Sequence, residues 1–336
     1  MNRILKHLST ISLTILLFLG QGFSGELIIG FGSCLHQDLP QPIWKEIKAQ
    51  HPKVFIMLGD NVYGDTYGNI HSLEMAYHKQ AVAFEKAGLD FPFLAIWDDH
   101  DYGKNDGGTE YSLKDQSQKL FLKFWDIPEV DKRHSNQGLY FEEIIHSTEG
   151  TIQILMLDTR YFRSSLKRTP KYKKSNLGRY VPDYDPAKTM LGGDQWKWLE
   201  EALKRDADLR ILGTSIQLLA EGHGWECWGN LPLERQRLLN LLAKYSKSNL
   251  IVISGDRHLG GMYSLRTNEG IEFLEITSSS MNKPGRNTNE PGPHRIGEMY
   301  ARENFGLIRI NFQIRRANIE LHGLNEGVVL SKSIHF

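Results

Sequence analysis

Four apolar runs in this sequence each stop at a cluster of reactive side chains. Leu27-Ile28-Ile29 leads into Phe31-Gly32-Ser33-Cys34, and Val54–Leu58 into Gly59-Asp60-Asn61-Val62-Tyr63. Leu94–Trp97 leads into Asp98-Asp99-His100-Asp101, and Ile251–Ile253 into Ser254-Gly255-Asp256-Arg257-His258. Short continuous apolar runs of this kind predict strands buried on both faces, and the glycines at 32, 59 and 255 permit tight turns over a sheet edge. Carboxylates, a thiol, a phenol and imidazoles gathered at such edges would repel one another and raise one another's pKa, so the arrangement calls for a cation among them.

The run before Asp98 starts at Phe93 (Phe93–Trp97), and further apolar runs at Ile152–Leu157, Leu209–Leu212, Ile271–Ile276 and Leu307–Ile310 extend the strand pattern. Helical periodicity marks Gln41–Ala49, Leu73–Ala87, Leu113–Trp125, Asp194–Arg205 and Leu233–Lys244. Strands alternating with helices predict an α/β fold with a largely parallel sheet and ligands at the carboxyl ends of its strands. The last two strands, with few helices near them, suggest a second sheet. No repeat or linker divides the chain, so 26–336 reads as one domain with long loops.

Ahead of it, Arg3 and Lys6 precede the apolar run Ile11–Gly20 and a small, polar stretch to Gly25. That pattern predicts a signal peptide over 1–25 and a secreted or periplasmic protein, because about ten apolar residues fall short of the roughly 20 that span a bilayer. No transmembrane segment is expected after its removal. Lys plus Arg and Asp plus Glu both number 40, so no global field recruits nucleic acid, and recognition by charge must be local.

Export leaves two readings for the two cysteines, Cys34 and Cys227: a disulfide, or chemical use of Cys34 at its strand end. Arg163–Lys188 is a basic segment interleaved with tyrosines, read either as a solvated face or as a rim that attracts an anionic substrate. Ser278–Arg295, rich in Asn, Pro and Gly, is a second long loop. Trp225 and Trp228 are read either as core residues or as an apolar wall for the organic part of a diester.

In their order and spacing, Gly32-Ser33-Cys34, Gly59-Asp60-Asn61-Val62-Tyr63, Trp97-Asp98-Asp99-His100 and Gly255-Asp256-Arg257-His258 resemble the alkaline phosphatase D (PhoD-like) family of the metallophosphatase superfamily, which includes calcineurin-like enzymes and purple acid phosphatases. Leu157-Asp158-Thr159-Arg160-Tyr161, the Gly192–Leu199 segment and Asn304-Phe305-Gly306 look like that family's structural segments. The resemblance implies a four-layer αββα sandwich of two mixed β-sheets flanked by helices. It implies Asp60 as the carboxylate bridging two metals and Cys34, Tyr63 and His258 around an iron(III). Asp99 and Asp256 would hold a second ion. Where many superfamily members carry another His ligand, this chain has Gln217, at best a polar neighbour.

A charge count points to the same metals. One thiolate, one phenolate and three carboxylates are neutralised by one trivalent and one divalent ion. The oxygen-rich second site suits calcium or magnesium better than zinc; the family resemblance implies calcium, with magnesium, manganese or zinc as other candidates. Two metals roughly 3.5–4 Å apart hold a hydroxide nucleophile and the oxygens of a phosphate ester. The expected reaction is hydrolysis of phosphate mono- or diesters, with His100 as general acid, Asp101 orienting it, and Arg257 and Asn61 near the phosphate. Two other readings stay open: a phosphodiesterase directed at phospholipid or cell-wall polymer, and a non-enzymatic metal- or phosphate-binding protein.

Overall fold

The computed structural model describes residues 26–66, 68–170, 177–246, 249–286 and 288–336. The predicted leader at 1–25, and Lys171, Tyr172, Lys173 and Lys174 of the basic segment, lie outside the described residues.

The chain opens with a βαβαβ unit: β1 (Leu27–Gly32), α1 (Ile43–Ala49), β2 (Val54–Leu58), α2 (His71–Ala87) and β3 (Phe93–Ile96). The short helix α3 (Asp99–Tyr102) and then α4 (Lys114–Phe124) follow. Next come β4 (Phe141–His146), β5 (Thr151–Met156), α5 (Gly192–Leu203), β6 (Leu209–Thr214), α6 (Pro232–Tyr245) and β7 (Leu250–Ser254). The remaining strands are β8 (Gly260–Arg266), β9 (Glu272–Thr277), β10 (Arg295–Tyr300), β11 (Asn304–Asn311), β12 (Arg316–Gly323) and β13 (Gly327–His335). A six-stranded sheet has the order β13-β12-β11-β1-β2-β3, and a seven-stranded sheet the order β10-β8-β9-β7-β6-β5-β4.

Both sheets are mixed. β1, β2 and β3 run parallel, as do β5, β6, β7 and β9, while the outer strands pair antiparallel. The last two predicted strands do not make a sheet of their own. β9 joins β7, with Ile253 opposite Ile276, and β11 joins β1, with Ile29 opposite Ile308. Each completes a sheet that the βαβ units leave open at one edge.

Side-chain alternation explains why the central strands are apolar throughout. Val54, Ile56 and Leu58 of β2 and Ile251 and Ile253 of β7 meet in one cluster between the sheets. Phe55 and Met57 point the other way, to α1, α2 and α4, and Leu250 and Val252 pack toward α5 and α6. Both faces of each sheet are therefore covered, which gives the four-layer αββα sandwich. The parallel strands bring their carboxyl ends to one edge of the molecule.

Candidate metal centre

The loops at that edge are held in demanding backbone conformations. Cys34, Asp60, Asp256 and His258 have φ of 58°, 51°, 67° and 54°, a left-handed region that non-glycine residues seldom occupy and that concentrates at functional sites. Gly59, with φ of 102°, precedes Asp60, and a Cβ there would lie 2.4 Å from the Cβ of Asp98. Only glycine lets the loops after β2 and β3 approach so closely.

These turns bring three motifs to one point. Ligand atoms of Cys34, Asp60 and His258 lie within 4.8 Å of one another, a group that could hold a metal ion. The Tyr63 hydroxyl is 3.3 Å from His258 Nε2. His258 Nδ1 donates to the Lys283 carbonyl at 2.5 Å, which leaves Nε2 with its lone pair free for a cation. Asp60 also groups with Asp99 and His100, and Asp98, Asp99 and Asp256 form another group within the same 4.8 Å. Six predicted ligands from four strand ends thus converge.

The electrostatics fit a cation. Burial, then the neighbouring Asp99, pushes the Asp60 pKa well up. Burial and Asp98 do the same to Asp256, and burial and Asp60 to the Cys34 thiol and the Tyr63 phenol. Burial opposes ionisation of Asp99 too, but His100, Arg160 and the Asp106 N–H outweigh it and hold its pKa below the carboxylate range. Asp98 Oδ2 is buried without a partner. Among the described residues, no lysine or arginine forms an ion pair with Asp60, Asp99 or Asp256. Thiol, phenol, imidazole and carboxylates packed so tightly fit a metal pair, softer ligands on one side and oxygen on the other.

Both cysteines are free and buried, so the disulfide reading falls. Cys34 Sγ instead accepts from Ser279 Oγ at 3.1 Å. Asp101 does not face His100. It is buried and accepts from the backbone N–H of Asp98 at 2.6 Å and of Asp60 at 3.2 Å, bracing the two loops. The partner of His100 is Asp65, at 2.6 Å from Nδ1. Asn61 is another brace: fully buried, its amide donates to the Ile96 carbonyl at 2.8 Å and to Asp101 at 2.5 Å. Arg257 is turned into an ion pair with Glu290. Gln217 is buried and donates to Thr277 Oγ1 at 2.8 Å. Trp228 is core, its indole N–H bonded to Thr214 Oγ1 at 3.0 Å, whereas Trp225 is 37% exposed.

A second charged cluster, absent from the sequence reading, lies against the first. Arg160, fully buried, pairs with Asp98 at 2.5 Å and with Glu226 at 2.7 Å, and Arg163 pairs with Glu226 at 2.9 Å. Arg163 is therefore no part of a solvated face. Asp106 donates its N–H to Asp99 Oδ2 at 2.8 Å and accepts from Tyr180 at 2.6 Å. The Ser278–Arg295 loop supplies Ser279, Lys283 and Glu290, and the Lys283 ammonium sits 3.8 Å from the Tyr63 ring centre.

A family model described as PhoD-like phosphatase matches residues 30–325. The chain belongs to the PhoD-like phosphatase family. It is 24% identical to alkaline phosphatase D of Bacillus subtilis (strain 168) over 236 residues, 64% of this chain and 38% of that relative. The match thus spans well under half of the relative's length. A solved structure of PhoD superposes with a TM-score of 0.69 at 16% identity, covering 94% of this chain and 69% of that one. Purple acid phosphatase PPD1 from yellow lupin (Lupinus luteus) gives 0.62 at 12% identity, covering 94% and 54%. At these identities the two structures speak to the fold, and both share the two-sheet architecture.

Proposed function

We propose that the chain is a metal-dependent phosphoesterase that hydrolyses phosphate mono- or diesters at a dinuclear centre of the iron(III)–calcium(II) type. The observation that carries this reading is the convergence of Cys34, Asp60 and His258 beside Asp98, Asp99 and Asp256 in a chain of the PhoD-like phosphatase family. Cys34, Asp60, Tyr63 and His258 would hold the trivalent ion. Asp99 and Asp256 would hold the divalent one, with Asp60 shared. When bound, the metals would supply positive charge for the phosphate and acidify the attacking water.

The protein's own part is proton delivery. A carboxylate on Nδ1 fixes the His100 tautomer, and here Asp65 does so. Burial disfavours the imidazolium, but Asp99, Asp60 and Asp65 outweigh it and push His100 up to about 11. Its ring therefore carries a proton for a leaving alkoxide, and cations bound beside Asp60 and Asp99 would lower that value toward the working range. His100→Ala, checked for unchanged metal content, should slow alkyl phosphate ester hydrolysis by about 10²–10⁴-fold. It should slow p-nitrophenyl ester hydrolysis far less, since that leaving group needs no proton. Equal rates for the wild type and His100→Ala on an alkyl ester would remove His100 from the mechanism.

Residues 1–25 are proposed as a cleaved signal peptide and 26–336 as the phosphoesterase domain, exported to the periplasm or medium. Among the described residues, no helix is long and apolar enough to cross a membrane. N-terminal sequencing of the exported protein tests this, with a first residue near 26 expected.

A further inference from the structure

Trp225 is the most exposed of the tryptophans near the centre, and its position is built. The Gly178 N–H donates to the His223 carbonyl at 2.8 Å and the Tyr180 N–H to the Gly224 carbonyl at 2.7 Å. These bonds clip the segment carrying Arg179 onto the loop carrying Trp225. The fit requires glycine, because a Cβ on Gly178 would lie 2.2 Å from the Gly224 carbonyl oxygen. Two guanidiniums flank the ring, those of Arg179 and Arg257, each 5.8 Å from its centre.

Both arginines connect the ring to the metal-binding group. Arg257 lies between Asp256 and His258 and is paired with Glu290. Arg179 Nε is 3.1 Å from Asp106 Oδ2, and the Asp106 N–H bonds Asp99. Arg179 remains 45% exposed, so part of its side chain faces solvent beside the indole. An exposed indole next to a half-free guanidinium offers a stacking surface plus hydrogen-bond donors at the ring's edge.

We propose that Trp225 and Arg179 form a subsite for the ester arm that stays on the phosphate, and that this arm carries a planar aromatic or heteroaromatic ring. The proposal rests on the phosphoesterase reading of the same centre. A phosphate at Asp60 and Asp99 must turn its leaving oxygen to His100, which groups with those two carboxylates. Asp99 also groups with Asp106 and Glu226, and the chain Asp106–Arg179–Trp225 leads outward from there. The retained arm of a diester follows that route, Trp225 stacking on its ring and Arg179 bonding its polar edge.

Three esters with the same p-nitrophenolate leaving group test this on the metal-loaded full chain: methyl p-nitrophenyl phosphate, phenyl p-nitrophenyl phosphate and thymidine 5′-(p-nitrophenyl phosphate). The wild type should show a KM for the phenyl and thymidine esters about tenfold below that for the methyl ester. Trp225→Ala should erase that ratio and Trp225→Phe should keep most of it. Arg179→Met should raise the KM of the thymidine ester more than that of the phenyl ester if the natural ring is a nucleobase, and equally if it is a plain aryl group. A wild-type ratio near one, or a ratio unchanged in Trp225→Ala, overturns the subsite.

The non-hydrolysable p-nitrophenylphosphonate gives a second readout, quenching of tryptophan fluorescence. Quenching lost in Trp225→Phe supports the subsite even in a chain that hydrolyses none of the esters, in which case the phosphoesterase reading fails by itself. Hydrolysis of all three esters with neither discrimination nor Trp225-dependent quenching overturns the subsite and leaves that reading standing.

Discussion

Two buried charged clusters lie side by side in this molecule and resolve the same electrostatic problem differently. Around Arg160 the protein supplies both signs: Arg160 and Arg163 face Asp98 and Glu226 in pairs of 2.5–2.9 Å. Around Asp60 it supplies almost only acids, and burial with mutual repulsion drives Asp60, Asp256, Cys34 and Tyr63 upward in pKa. Unpaired buried charge is costly. The first cluster balances two guanidiniums against two carboxylates, while the second, on the proposed reading, is balanced by cations from outside the chain.

Asp60→Asn breaks the comparison hardest. It keeps the oxygen that accepts the His100 backbone N–H but removes the proposed shared metal ligand, so metal content and phosphoesterase activity should fall together, activity by about 10³-fold or more. In the metal-free chain at pH 8 the same change should raise Tm, because it deletes a carboxylate whose ionisation burial opposes. Arg160→Met should do the reverse, lowering stability by about 3–5 kcal/mol by leaving Asp98 without its guanidinium and Glu226 with Arg163 alone, as denaturant melts would show.

The pH dependence sharpens the contrast. Burial raises Asp101 to about 8 and raises Asp60 and Asp256 as well. The native state therefore holds more protons than the unfolded state above pH 4, and that stability is lost as pH rises through about 8. His223 and His258, lowered by burial to about 3 and about 4, act oppositely, but only below about pH 6.5. The Tm of metal-free protein should thus decline between pH 6.5 and 9, while the metal-loaded protein stays flatter and releases protons on loading. The smallest expected effect is that of Lys283→Met: if Tyr63 binds iron as proposed, removing the ammonium over its ring should shift the tyrosinate–iron absorption band without loss of iron.

The same contrast explains what could be read from the sequence. Proposed ligands such as Asp60 and His258 lie within a few residues of the ends of apolar strands, so strand order places them at one edge before any coordinates are known. The β1–β2–β3 and β5–β6–β7 strands were legible for the same reason, being buried on both faces. Edge strands β4, β10 and β13 are partly exposed, and their polar positions interrupt the apolar signal. Arg160, Glu226 and Asp106 sit in long loops without periodicity, and their pairing depends on tertiary approach alone. Asp65 lay five residues past Asp60, yet nothing local distinguishes it from Asp101 as the partner of His100. The helix geometry decides, turning Asp101 back onto the backbone of Asp60 and Asp98.

Elemental analysis of active protein purified with iron and calcium supplied, alongside Asp60→Asn, tests the central claim most directly. The account predicts about one iron and at least one divalent ion per chain in the wild type, and the loss of both in the variant. Fully active protein without bound metal, or an Asp60→Asn protein with its metals intact, would contradict it.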